Sequence, residues 1–271
     1  MQLALISLLL VVSAVLVVRA SNRDRRDYGR FKKLTSTRKR QQTFGKWLRE
    51  SFMLFASLTC VVLLAAHSFV PLVTADALAS PPFAWAESLL VGDFATGLAV
   101  GAAIAVLAVL IIPIILLRRH LAEVPTVGDI GALLPRTRGE LIYGAGLAIN
   151  AGVVEELLFR LALPALVYGI VGNGLVAFGV ASLLFGLLHI YQGLPGVVGA
   201  TVLGVVFSIV YLLTGSIVVV IVLHAVIDLR ALVLIPLVRG VWGIHRIEKP
   251  SDGEKPSDRD KPSEPAGATA S

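Results

Sequence analysis

Residues 141–170 read LIYGAGLAINAGVVEELLFRLALPALVYGI, and this stretch decides the class of the fold. It is mainly apolar and carries three charged side chains, Glu155, Glu156 and Arg160. A helix needs roughly 20 mainly apolar residues to cross a bilayer core of about 30 Å. The stretch therefore predicts a membrane-spanning helix that carries charges inside the bilayer.

Six other stretches of the chain are similarly long and apolar. They are residues 2–18, 51–73, 94–117, 174–191, 196–213 and 216–238. With 56% hydrophobic residues, 15% charged residues and a mean hydropathy of +0.83, the chain is too apolar for an ordinary soluble domain. We expect an all-α polytopic membrane protein with about seven transmembrane helices and an intramembrane polar site.

The distribution of lysine and arginine predicts the orientation. Residues 19–49 hold twelve of them, residues 71–93 hold none and residues 118–138 hold four. Basic loops stay on the cytoplasmic side, so we expect an integral, multi-pass protein of a prokaryotic plasma membrane with a cytoplasmic C-terminus. The basic cluster at residues 23–40 then favours membrane lipids as partners, and no nucleic acid.

Composition divides the chain into three predicted parts. Residues 1–140 form an N-terminal three-helix membrane region with basic cytoplasmic loops, and residues 141–240 form a core that carries the embedded charges. Residues 241–271 are rich in Pro, Ser, Lys, Asp and Glu. Such a segment has too few apolar groups to offset the entropy of ordering, so we expect a disordered cytoplasmic tail.

Ionisable side chains cluster on three of the predicted helices. Residues 155–160 read EELLFR, residues 185–189 read FGLLH and residues 224–228 read HAVID. A charge at the centre of a membrane helix costs about 2.5–3.5 kcal/mol on insertion scales. Two histidines together with a carboxylate pair therefore favour a polar active site.

Spacing within these segments suggests local pairs. Glu156 and Arg160 stand four residues apart on one helix face, so an ion pair between them is available. Glu155 faces another direction and needs a partner on another helix, a bound cation or a proton. His224 and Asp228 also share a face, where a packed histidine and a local hydrogen bond are the structural alternatives.

The three motifs EExxxR, FxxxH and HxxxD, in this order on successive helices, resemble those of the CPBP family of CAAX proteases and bacteriocin-processing enzymes. Its eukaryotic relative is the Ras-converting prenyl-protein endopeptidase. The resemblance covers residues 141–229, about a third of the chain. It implies an intramembrane endopeptidase that cuts a peptide or protein substrate near its C-terminus, with a lipidated substrate among the alternatives.

The resemblance also implies roles for individual residues. Glu155 is the general base that activates water, and His189 holds or polarises the same water. Glu156 and Arg160 orient the groups around that water. No serine nucleophile motif competes with this assignment.

The last motif departs from the common pattern of the family. There a His and usually an Asn stabilise the oxyanion, and the corresponding positions are His224 and Asp228. An ionised Asp accepts hydrogen bonds but donates none. We therefore expect Asp228 to orient His224 or to ligate a metal.

The cofactor and the class of function stay open at this point. Glu155, His189 and His224 would furnish three zinc ligands and leave one position for water, although we favour a metal-free glutamate mechanism. A proton-coupled transporter or channel would use the same residues as a relay. A non-catalytic immunity or scaffold protein is the third alternative.

Helix geometry sets a condition on this site. At about 1.5 Å per residue, Glu155 and His224 lie roughly 20 Å from the cytoplasmic ends of their helices, whereas His189 lies about 3 Å from its own. Straight helices would not bring these side chains together. We expect a short or tilted fifth helix whose inner end lies in a water-filled vestibule.

Overall fold

The computed structural model describes residues 2–89 and 128–238, and the regular structure of these two ranges is entirely helical. This confirms the predicted all-α class. The third predicted span, residues 94–117, and the predicted tail, residues 241–271, lie outside the described residues.

The first described range forms two long helical segments and a short third one. The bounds are α1 Gln2–Val18, a π-helical turn Arg19–Asp24, α2 Arg25–Phe31, α3 Thr37–Ala66, a 3-10 turn His67–Phe69, α4 Val70–Leu78 and α5 Pro81–Leu89. The basic residues 19–49 were expected in a loop, but most of them are helical. Arg, Lys, Gln and Leu are good helix formers, so α3 begins well before its apolar part.

The second described range holds the three motifs. After a 3-10 turn, Gly131–Leu133, the bounds are α6 Arg138–Glu156, a π-helical turn Leu157–Ala162, α7 Leu163–Val171, α8 Gly174–Leu187, a 3-10 turn Leu188–Gln192, α9 Leu194–Thr214, α10 Ile217–Leu229, a π-helical turn Arg230–Leu234 and α11 Ile235–Val238. Glycines with positive φ, Gly172 (63°) and Gly215 (64°), end α7 and α9. The Asn173 side chain then caps α8 by accepting a hydrogen bond from the Val176 amide.

Five of the described helical segments are long and apolar enough to cross a membrane. They are Gln2–Phe31, Thr37–Leu78, Gly174–Gln192, Leu194–Thr214 and Ile217–Leu237. The helix of residues 138–171, which carries Glu155, is not among these five. The count of seven spans therefore stays a prediction.

Small residues let α6 approach α10 closely. Gly144, Ala148 and Gly152 are buried at four-residue spacing on α6. A Cβ on Gly152 would lie 2.9 Å from the Ile221 carbonyl oxygen of α10. Backbone contact of this kind is typical of membrane helix pairs, and it places the motif of α6 directly against that of α10.

A buried ion pair fixes the start of α6 against α3. The Arg40 Nε atom lies 3.0 Å from Glu140 Oε1, and both side chains have no solvent exposure. The Arg40 Nη2 atom also donates to the carbonyl oxygens of Ala132 and Leu134, at 3.1 and 3.2 Å. The guanidinium is thus held by groups from both sides of the turn that precedes α6.

Candidate active site

Glu156 and Arg160 form the ion pair that their spacing predicts. Arg160 Nε lies 3.0 Å from Glu156 Oε2, and both side chains are fully buried. The contact is electrostatic, because the two atoms are not aligned for a hydrogen bond. The Arg160 guanidinium also lies over the rings of Phe185 and Phe207, with centroid distances of 5.3 and 5.7 Å.

His224 connects α10 to α6. Its Nδ1 atom lies 2.7 Å from Glu156 Oε1, and its Nε2 atom lies 3.5 Å from Asp228 Oδ2. The imidazole is buried, and the Phe185 and Phe207 rings flank it at 5.9 and 5.3 Å. Both ring nitrogens of His224 thus face carboxylates.

His189 lies in the 3-10 turn that follows α8. Its Nδ1–H donates to the Phe185 carbonyl oxygen at 2.9 Å. Since a carbonyl oxygen only accepts, this bond fixes the tautomer and leaves Nε2 as an acceptor in the neutral ring. The α-helical part of this segment is 14 residues long, about 21 Å, and the 3-10 turn continues it to Gln192. The short or tilted fifth helix therefore stays a prediction.

Glu155 lines a cavity of about 270 Å³, together with His189, His224 and Asp228. This volume is many times what one water needs. Within the described ranges, no hydrogen bond or ion pair is found at the Glu155 carboxylate, in contrast to its neighbour Glu156 with two partners. The structure thus brings all four proposed catalytic side chains to one cavity, with Glu156 and Arg160 directly behind it.

A scan against family models gives a match to this part of the chain. Residues 137–230 match the family described as Type II CAAX prenyl endopeptidase Rce1-like. The match confirms the resemblance to the CPBP family and includes all three motifs. A search of curated proteins and a search of solved structures found no match. Together with the five long apolar helices, the family match supports an integral membrane protein.

The Rce1-like segment supplies only one wall of the cavity. Sequence reasoning missed the opposite wall, which comes mainly from the first helical segment and α3 and includes Arg19, Asp24, Tyr28 and Ser51. The π-helical turn of residues 19–24 packs against the 3-10 turn that carries His189. No motif marks these residues, because the contact joins segments far apart in the chain.

Two polar residues of the Rce1-like segment were also missed, Asn150 and Tyr191. Both line the cavity. The Asn150 side chain donates to Ser51 Oγ at 2.8 Å. Tyr191 is two residues beyond His189, so a search for polar side chains next to the motif histidine would have found it.

The described residues do not support the zinc alternative. No group of three or more His, Cys, Asp or Glu side chains is arranged to hold a metal ion in the two described ranges. Both nitrogens of His224 already face carboxylates, so in this arrangement only two of the three proposed ligands, Glu155 and Nε2 of His189, have a lone pair free for a metal. Glu155, His189 and His224 therefore share a cavity without forming a ligand set in this arrangement.

Proposed function

We propose that the protein is an intramembrane endopeptidase in which Glu155 activates water to hydrolyse a peptide bond near the C-terminus of its substrate. The observation that carries this proposal is the contrast between two adjacent carboxylates. Glu156 is buried between Arg160 and His224, whereas Glu155 lines the cavity without a protein partner at its carboxylate among the described residues. A free carboxylate at a cavity wall is a suitable general base.

In the proposed mechanism, water binds between Glu155 and the acceptor nitrogen Nε2 of His189. Glu155 takes a proton as the water oxygen bonds to the carbonyl carbon of the substrate, and the carbonyl π electrons move to oxygen. The oxyanion then re-forms the C=O bond, the C–N bond breaks and Glu155 returns the proton to the leaving nitrogen. The sum is one water added across one peptide bond.

Four charged or polar side chains support this step by holding one another in place, namely Glu156, Arg160, His224 and Asp228. Glu156 holds the His224 ring at Nδ1 and is itself held by Arg160. Asp228 contacts the opposite nitrogen of the same ring. These contacts support an orienting role for Asp228 rather than an oxyanion-binding one.

We propose a substrate with an apolar or lipidated C-terminal segment. The matched family is described by its action on CAAX prenyl proteins, in which a C-terminal C-a-a-X sequence directs prenylation of the Cys. The cavity walls support such a substrate, since Leu16, Phe55 and Leu147 lie among the lining residues. An apolar wall favours aliphatic side chains or a hydrocarbon chain.

The test uses the purified full-length chain in liposomes and synthetic peptides that end in C-a-a-X, with and without a farnesyl group on the Cys. We expect mass spectrometry to show one cut within the last few residues, at the same rate with and without a chelator. Absence of a product from every peptide, with the protein folded by its melting curve, contradicts the proposed function. Loss of activity on chelation, restored by zinc, contradicts the metal-free mechanism alone.

A further inference from the structure

The proposed mechanism needs hydrogen-bond donors for the oxyanion, and the motif residues offer at most one, Nε2 of His224. Preorganised donors at the developing charge commonly contribute more than any other effect to the catalysis of acyl transfer. Asp228 replaces the usual donor amide with a carboxylate, which has no proton to give when ionised. His224 Nδ1 is bonded to Glu156, whereas its Nε2 atom lies 3.5 Å from Asp228 Oδ2 in an ion-pair contact without a hydrogen bond. His189 gives its Nδ1 proton to the Phe185 carbonyl oxygen.

Two other polar side chains of the cavity, Tyr28 and Asn150, are engaged elsewhere. The Tyr28 hydroxyl donates to the Asp129 carbonyl oxygen at 2.6 Å. Asn150 gives one amide hydrogen to Ser51 of α3. Its position five residues before Glu155 is about 7.5 Å away along the helix axis.

Tyr191 is different, because its own hydroxyl proton has no acceptor among the residues that the structure describes. The hydroxyl oxygen accepts a hydrogen bond from Gln192 Nε2 at 2.9 Å, which orients the group. The ring stacks beside His189 with a centroid distance of 6.2 Å, and it meets Tyr28 edge-on at 5.4 Å. The side chain lines the cavity that holds Glu155.

We propose that the Tyr191 hydroxyl donates a hydrogen bond that stabilises the oxyanion. An ionised Asp228 has no proton to donate in this role. Tyr191 keeps its proton throughout, so no bond to it forms or breaks. The hydroxyl comes from the same 3-10 turn as His189, so the turn supplies both the water-holding nitrogen and the oxyanion donor. This inference rests on the proposed function.

Tyr191→Phe removes the hydroxyl and keeps the ring. Loss of one oxyanion donor lowers kcat by about 10²–10³-fold, and we expect this loss with an unchanged KM and an unchanged melting curve. A peptide phosphinate, which mimics the tetrahedral intermediate, should bind more weakly by a similar factor. Tyr168→Phe makes the same chemical change on α7, away from the cavity, and should leave kcat unchanged.

A second variant distinguishes a donor from a purely structural tyrosine. Asp228→Asn brings an amide donor at the cost of the ion pair with His224. The exchange should raise the activity of Tyr191→Phe at least tenfold and raise that of the wild type by a smaller factor. The donor role is overturned if Tyr191→Phe keeps kcat within threefold of the wild type, or if Asp228→Asn changes kcat by the same factor in the wild type and in Tyr191→Phe. An inactive wild-type protein would instead overturn the proposed function itself.

Discussion

Glu155 and Glu156 are neighbours in the chain but lie in opposite environments. The Glu156 carboxylate is fully buried and contacts Arg160 and His224. The Glu155 side chain is half-buried and lines the cavity. Adjacent residues on a helix are about 100° apart, so one carboxylate can support the structure while the next one meets water.

Glu156→Gln and Arg160→Ala should each lower stability as well as activity. Removing one partner of a buried ion pair destabilises by about 3–5 kcal/mol, because the other charge stays buried and uncompensated. A melting curve in detergent measures this loss. Unchanged melting for both variants would mean that the pair contributes nothing to the fold.

The two histidines should respond differently to replacement by Ala. Both variants should lose cleavage by about 10²–10⁴-fold, the usual contribution of acid–base groups. His224→Ala should also lower stability by about 1.5–3 kcal/mol, since it removes a hydrogen bond to a charged group. Among the described residues, the hydrogen bond of the His189 side chain goes to a carbonyl of its own helical segment. We therefore expect the free energy of unfolding of His189→Ala to lie within about 1 kcal/mol of the wild-type value. Equal melting of both variants contradicts the bridging role of His224.

At the scale of helices, the contact between α6 and α10 sets the geometry of the site. Gly152 lies one turn before Glu156, and its Cα faces the backbone of α10. Any shift of α10 would move His224 relative to Glu156. The separation of these two helices therefore controls both stability and catalysis.

Gly152→Ala should separate these helices. The added Cβ would lie 2.9 Å from the Ile221 carbonyl oxygen and 3.0 Å from the Ala225 amide nitrogen. Overpacking of this kind costs about 1–3 kcal/mol, and we expect a lower melting temperature together with a lower kcat. Gly179→Ala on α8 is the control, because apart from its chain neighbours and the backbone of its own helix no heavy atom of the described residues lies within 4 Å of its added Cβ. If the two variants melt alike, the close contact is not significant.

The sequence predicts the helices and the motif side chains better than it predicts the cavity. Spacing of four residues is enough to pair Glu156 with Arg160, since helix geometry alone brings them to one face. The contact of Glu156 with His224 joins residues 68 positions apart and has no local signal. Helix boundaries also shift, as in α3, because charged helix formers continue an apolar helix without a break.

At the scale of the molecule, the cavity lies between the N-terminal helices and the Rce1-like segment. Arg19 and Asp24 come from the first segment, and His189 and Gln192 come from the 3-10 turn. The predicted topology places this end of both segments on the cytoplasmic side. We propose that the cavity opens to the cytoplasm there.

Labelling of single cysteines tests this orientation. In a Cys60→Ser background, Gln192→Cys should react with a water-soluble maleimide from the cytoplasmic side. Ala79→Cys, at an exposed position after α4, should react only from the opposite side. Labelling of both from one side contradicts the topology. If the cysteine at position 192 does not react with the maleimide while the cysteine at position 79 reacts as expected, the cytoplasmic opening of the cavity is contradicted.

The central claim is that the Glu155 carboxylate is the base, and a single rate comparison tests it most directly. Single-turnover cleavage of one peptide is measured in liposomes for the wild type, Glu155→Gln and Glu50→Gln. Glu50 lies on α3 and pairs with Arg23. Its variant therefore makes the same chemical change outside the cavity. We expect Glu155→Gln to cleave about 10²–10⁴-fold more slowly and Glu50→Gln to match the wild type. Wild-type cleavage by a folded Glu155→Gln variant would contradict the account.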